Sequence, residues 1–182
     1  MSGFKAADMK IVYIESNDAL LRDQTTTQVA QKLREDGFRV RVAAFPGDGP
    51  FAHQIRVALD QRTEYQELPW HSLQLVDRMD FFFNPNNGLL RNNQKFDFLI
   101  LSGSHYHELL HTDGETLSAW VLSINGILPP PDFVFWLSGP QHDPFFERLI
   151  HTNPSARMVP SVPPSSVVDI IYADITAEED HE

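Results

Sequence analysis

The chain has 182 residues, 42% of them hydrophobic and 11% aromatic, which supports one domain with a sizeable core and excludes disorder as its main state. Asp and Glu outnumber Lys and Arg 25 to 14, a net charge of −11 with no long basic run, so no nucleic-acid partner is expected. No apolar run approaches the roughly 20 residues of a membrane helix, the start MSGFKAADMK lacks a signal-peptide core, and the absence of cysteine excludes disulfides and thiolate metal sites; a cytoplasmic chain without a membrane partner is expected.

Residues 11–14 form a short β-branched run suited to a buried strand. A helix is predicted over 23–36, with Val29, Ala30 and Leu33 at core spacing and Gly37 placed to end it in the left-handed conformation. Residues 38–45 alternate apolar and basic as a second strand, and PGDGP (46–50) is a turn. Ala52, Ile55, Ala58 and Leu59 then recur at helical spacing. Pro69 suits the first turn of a further helix running to about Phe83, which NPNNG (84–88) breaks. FDFLILSG (96–103) is the strongest buried-strand signal in the chain. Leu117, Val121 and Ile124 mark a helix closed by Gly126, and PPPDFVFWL (129–137) contains a fourth strand. VVDIIYADI (167–175) is predicted as a fifth strand after a Pro- and Ser-rich approach at 160–166. Strands alternating with helices argue for a parallel sheet covered on both faces, in one domain over 1–176 with a frayed acidic tail at 177–182.

The order of these motifs resembles that of the thymidylate kinases, P-loop nucleoside monophosphate kinases, over roughly residues 9–137. The family opens with a strand, the pattern E-G-x-D-G-x-G-K-S-T-Q and a helix ending in glycine; this chain has Glu15, Ser16, Asn17, Asp18, Ala19, Leu20, Leu21, Arg22 and Asp23, with Gly37 in register. Its F-P turn is similar to AAFPGDG, its helix with a leucine-rich run and an Asp-Arg pair to WHSLQLVDRMDFF (Asp77, Arg78), and its P-K-P-D-L strand to PPPDFVFWL. The resemblance implies an α/β, three-layer αβα, P-loop-kinase-like fold with a five-stranded parallel sheet.

The departures fall on the working positions. Phosphate-binding loops use glycines to turn their amides inward, and no glycine lies between Gly3 and Gly37. The glycine positions hold Ser16, Ala19 and Leu21; the phosphate-binding lysine corresponds to Arg22 and the magnesium-binding serine to Asp23. On the acceptor side, the family's Asp-Arg-Tyr falls near Ser102, Gly103 and Ser104, the arginine before the F-P turn is replaced by Ala44, and the base-stacking aromatic falls near Gln74. The lid region GPQHDPFFERL offers Arg148 alone. Losing these groups together removes most of the electrostatic stabilisation that phosphoryl transfer needs. The expectation is a catalytically inactive thymidylate-kinase-like protein with no cofactor, serving as a structural or regulatory interaction module, as a homodimer or with another protein.

A second reading is an atypical nucleoside monophosphate kinase or nucleotide-binding protein using Mg·ATP. It would place Asp18, Arg22 and Asp23 at the cofactor and Gln74, Arg78, Ser102 and His105 at the substrate. A third reads HELLH as a zinc-hydrolase motif, with His107 and His111 as ligands and Glu108 as general base. The long form of that motif would need a ligand at position 117, which is Leu117; the plain reading is a polar helix start. Arg22 with Asp23 is read as a solvated pair at the helix start, and Asp18 as a cap. Phe81, Phe82 and Phe83 cannot all face one core; either one of them is exposed at a dimer or partner contact, or a neighbouring loop covers it.

Overall fold

The computed structural model describes residues 9–60, 67–90, 96–108, 115–138, 153, 156–160 and 164–177. Its elements are β1 (Lys10–Ser16), α1 (Ala19–Glu35), β2 (Val40–Ala44), α2 (Pro50–Asp60), α3 (Glu67–Phe83), β3 (Phe98–Ser102), α4 (His105–Glu108), α5 (Glu115–Asn125), β4 (Phe133–Ser138), β5 (Ala156–Pro160) and α6 (Pro164–Thr176). They divide into two compact units.

The first unit draws on Met9–Ala43, Phe96–Ser104 and Pro131–Glu182 and carries a five-stranded parallel sheet in the order β2-β3-β1-β4-β5. Val12 pairs with Ile100 on one side and Phe133 on the other, which puts β1 at the centre. Central parallel strands are covered on both faces and must be apolar throughout. Accordingly β3 and β4 are buried at every residue, and β1 at every residue after Lys10. Two aspartates pin the strand starts. The Ile11 amide donates to Asp132 Oδ2 at 2.7 Å, and the Arg39 amide donates to Asp97 Oδ2 at 2.7 Å.

One face of the sheet, presenting Val12, Ile14, Ile100, Phe133 and Phe135, packs with Val29, Ala30 and Leu33 of α1 and Val167, Val168, Ile171 and Ile175 of α6. Helix α1 ends as expected at Gly37, with φ 91°. The Phe38 amide donates to the Leu33 carbonyl and the Gly37 amide to the Arg34 carbonyl, both at 3.0 Å, which satisfies the last turn by a Schellman motif.

The second unit draws on Ala44–Lys95 and His105–Pro130. Ala52, Ile55 and Ala58 form the buried face of α2, against α3. Pro69 sits in the first turn of α3, where its missing N–H has no acceptor to serve. Phe81 stacks edge-on against Phe45 and Phe82, with centroids 5.4 and 5.1 Å apart.

Three expectations are corrected. Residues 167–175 are helical, within α6, and the fifth strand is Ala156–Pro160. Helix α1 begins at Ala19, earlier than residue 23. Leu59 turns outward at 55% exposure because the apolar stripe of α2 closes with Ala58. Of the two readings of the three phenylalanines, exposure is not observed: Phe82 is fully buried and Phe81 and Phe83 are half-buried, while Met79 of the same helix is exposed. Phe81 meets Phe82 edge to face and Phe82 meets Phe83 at a tilt, which accommodates neighbouring positions that a simple helical-wheel argument separates.

Candidate functional site

In the sheet unit, the chain leaves β1 for β2, beyond β3, and leaves β3 for β4, on the far side of β1. Connections that diverge in this way open a crevice at the carboxyl ends of the strands, the usual ligand position in such sheets. Ser16 and Ser102 end those two strands.

Only Asn17 and Asp18 separate β1 from α1. Ser16 Oγ donates to the Leu137 carbonyl at 3.3 Å and accepts from the Asp18 amide at 3.1 Å, which draws the turn down onto β4. Asp18 is the N-cap: its Oδ1 accepts from the Leu21 amide at 3.1 Å, and its carbonyl accepts from the Arg22 amide at 3.0 Å. A carboxylate from within the chain therefore meets the positive end of the helix. Leu20, in the first turn, is 67% exposed.

Arg22 and Asp23 are adjacent, and Ser102 of β3 joins them. Arg22 Nε lies 3.0 Å from Ser102 Oγ and 3.2 Å from Asp23 Oδ1, and Ser102 Oγ donates a short hydrogen bond to the same carboxylate oxygen. The Arg22 side chain is only 15% exposed and fastened to the end of β3, while that of Asp23 is 58% exposed, so only the carboxylate of the pair is solvated. The next residue, Gly103, has φ 80°, and a Cβ there would lie 3.3 Å from Arg22 Nη1. On the other face of the sheet, the fully buried Glu15 accepts a short hydrogen bond from Ser104 Oγ. Sequence reasoning missed that contact, although a glutamate at the end of an apolar strand was the available signal.

In the helical unit, Gln74 and Arg78 stand one turn apart on α3. Arg78 is buried; its Nη1 donates to Asn125 Oδ1 of α5 at 3.2 Å, and its guanidinium carbon lies 5.6 Å from the Phe45 ring centroid. The neighbouring Asp77 accepts from the Gly47 amide at 2.9 Å and so holds the PGDG turn. Burial raises its pKa, against the opposing pull of the Gly47 amide and of Arg78 and Arg56. His105 opens α4, almost fully buried, with its ring centroid 4.1 Å from that of Tyr106. Burial first, and the Arg78 charge second, push its pKa down to about 3. A neutral imidazole at that value cannot serve as a base that gains a proton near neutral pH. Asn125 was not anticipated; a buried amide closing an apolar helix was its signal.

Of the HELLH motif, His107 and Glu108 lie in α4 and His111 lies outside the described residues. Among the described residues no group of three His, Asp or Glu side chains is placed to hold a metal.

No family model matches the sequence, and no curated protein matches it. Solved structures do. The thymidylate kinase of Candida albicans superposes with a TM-score of 0.73 at 16% identity, covering 96% of this chain and 94% of that one. The enzyme from Ehrlichia chaffeensis superposes with a TM-score of 0.72 at 13% identity, covering 92% and 98%. This chain has the thymidylate kinase fold. Helices of the described residues include none long and apolar enough to cross a membrane. Under the correspondence drawn from sequence, the segment replacing the phosphate loop is Ser16–Asn17–Asp18 followed directly by helix. Ala19, Leu20 and Leu21 therefore take helical backbone conformations and escape the strain of positive φ.

Proposed function

We propose that the protein is a thymidylate-kinase-fold protein without phosphoryl-transfer activity, working as a structural or regulatory interaction module. One observation carries this reading: α1 starts at Ala19, immediately after the turn, and the Asp18 carboxylate already occupies the first-turn amide at Leu21. Triphosphate binding of the P-loop kind needs a longer bend whose amides converge on the phosphates. A turn of two residues with a built-in carboxylate supplies the opposite: fewer amides and a repelling charge. Arg22, in the lysine position, is directed to Asp23 and Ser102. Arg78, the retained base-contact position, is buried and hydrogen-bonded to Asn125.

The interaction role is supported by Phe51 and Leu59 of α2 and Met79 of α3, apolar side chains exposed on the helical unit. A second copy of the chain or another protein is the expected partner. In a coupled assay with dTMP and Mg·ATP, the purified protein is expected to produce ADP no faster than buffer, and titration calorimetry with either nucleotide to show no saturable heat. Turnover that follows protein concentration and disappears in Arg22→Ala would overturn the proposal. Light scattering reads the assembly, and a strict monomer at high concentration argues against the homodimer.

A further inference from the structure

The Arg22 guanidinium is used unevenly. Its Nε faces two acceptors, Ser102 Oγ and Asp23 Oδ1, while among the described residues Nη1 and Nη2 make no hydrogen bond. Nη1 lies instead against the Cα of Gly103, in space that exists because position 103 has no side chain. A planar guanidinium recognises phosphate through two parallel N–H donors, and here such a pair is anchored through Nε at the carboxyl end of β3. Its charge, however, is already answered. Asp23 Oδ1 receives both Arg22 Nε and the Ser102 hydroxyl, two donors from two elements converging on one anionic oxygen.

We propose that Asp23 is an internal counter-anion that occupies Arg22 and keeps this end of the sheet from binding phosphate ligands. The inference rests on the reading above and adds a second obstacle to the short turn and its Asp18 carboxylate: a guanidinium suited to phosphate stands at the same end of the sheet, and one carboxylate beside it silences it. Serine or asparagine at position 23 would keep a hydrogen-bond acceptor for Ser102 and Arg22 while leaving the guanidinium without its neutralising partner. An external anion would then gain the attraction that Asp23 now takes.

The test is titration calorimetry of the full chain with inorganic pyrophosphate at low ionic strength. The wild type is expected to show no saturable heat, Asp23→Asn to bind at least tenfold more tightly, and Arg22→Ala/Asp23→Asn to lose that gain. Asp23→Ser serves if the asparagine variant does not fold, because it restores a neutral hydroxyl at the same place. Equal binding by wild type and Asp23→Asn, or a gain that survives Arg22→Ala, would sink the inference. Neither result bears on whether the wild type turns over dTMP, so failure here and failure of the inactivity reading are separable.

Discussion

At Gly103 the backbone has φ 80°, and the Arg22 guanidinium lies against the open side of its Cα. Gly37 has a similar φ of 91°, but nothing lies within 4 Å of the position where its Cβ would be. An L-residue at either position meets the left-handed strain of about 1–2 kcal/mol. At Gly103 it also crowds a guanidinium that is anchored at Nε. Gly103→Ala is therefore expected to lower unfolding stability in urea by more than Gly37→Ala, which costs about 1 kcal/mol. An equal loss would show that Arg22 moves aside freely. At this scale the sequence exposed a strand-to-helix turn without glycine and an arginine in the first turn of the helix. It did not expose what that arginine meets, because the partnership of Arg22 with Ser102 joins residues 80 positions apart.

Among the elements, α6 shows how a local pattern was misread and how it could have been read correctly. Residues 167–175 are apolar except at Asp169 and Asp174, a composition that suits a strand. Yet a strand would bury either 167, 169 and 171 or 168, 170, 172 and 174, and each set includes an aspartate. The helix buries Val167, Val168, Ile171 and Ile175 and turns both aspartates outward. There Asp169 meets Lys32 of α1 at 2.5 Å and Asp174 meets Arg157 of β5 at 2.9 Å. Such exposed pairs contribute little, and the apolar stripe carries the stability. Ile171→Ala is expected to cost about 2–4 kcal/mol, while Ile170→Ala stays within about 0.5 kcal/mol because Ile170 is 41% exposed. Comparable losses at the two positions in chemical denaturation would contradict the observed helical face. The true fifth strand, ARMVP, is a short edge strand buried only at Ala156 and Val159, with too little alternation to announce itself.

For the whole molecule, the pH dependence of stability provides a check on the buried histidine. His105 has its folded pKa depressed from 6.5 to about 3. Its contribution is thus complete above pH 6.5 and is lost as the pH falls, because the unfolded chain takes up a proton that the folded chain refuses until about pH 3. From this group alone, the loss between pH 7 and pH 5 is about 2 kcal/mol. His105→Asn is therefore expected to flatten the dependence there while leaving the acid limb below pH 4. Asp97, held below the usual carboxylate range by the Arg39 hydrogen bonds, contributes to that lower limb with the same sign. A mutant curve parallel to the wild type between pH 7 and pH 5 would show that His105 is protonated in the folded protein.

By itself the sequence determined the α/β class, the positions of β1, β3 and β4, the helix stop at Gly37 and the absence of glycine from the turn between β1 and α1. These are local matters of period, β-branching and backbone freedom, which a run of neighbouring residues expresses without help. Tertiary structure alone decided that the fifth strand is Ala156–Pro160 and that Asp23, Arg22 and Ser102 share one carboxylate oxygen. Each depends on which distant surface a segment packs against. Burial and long-range hydrogen bonding set that choice, and both are properties of the assembled sheet.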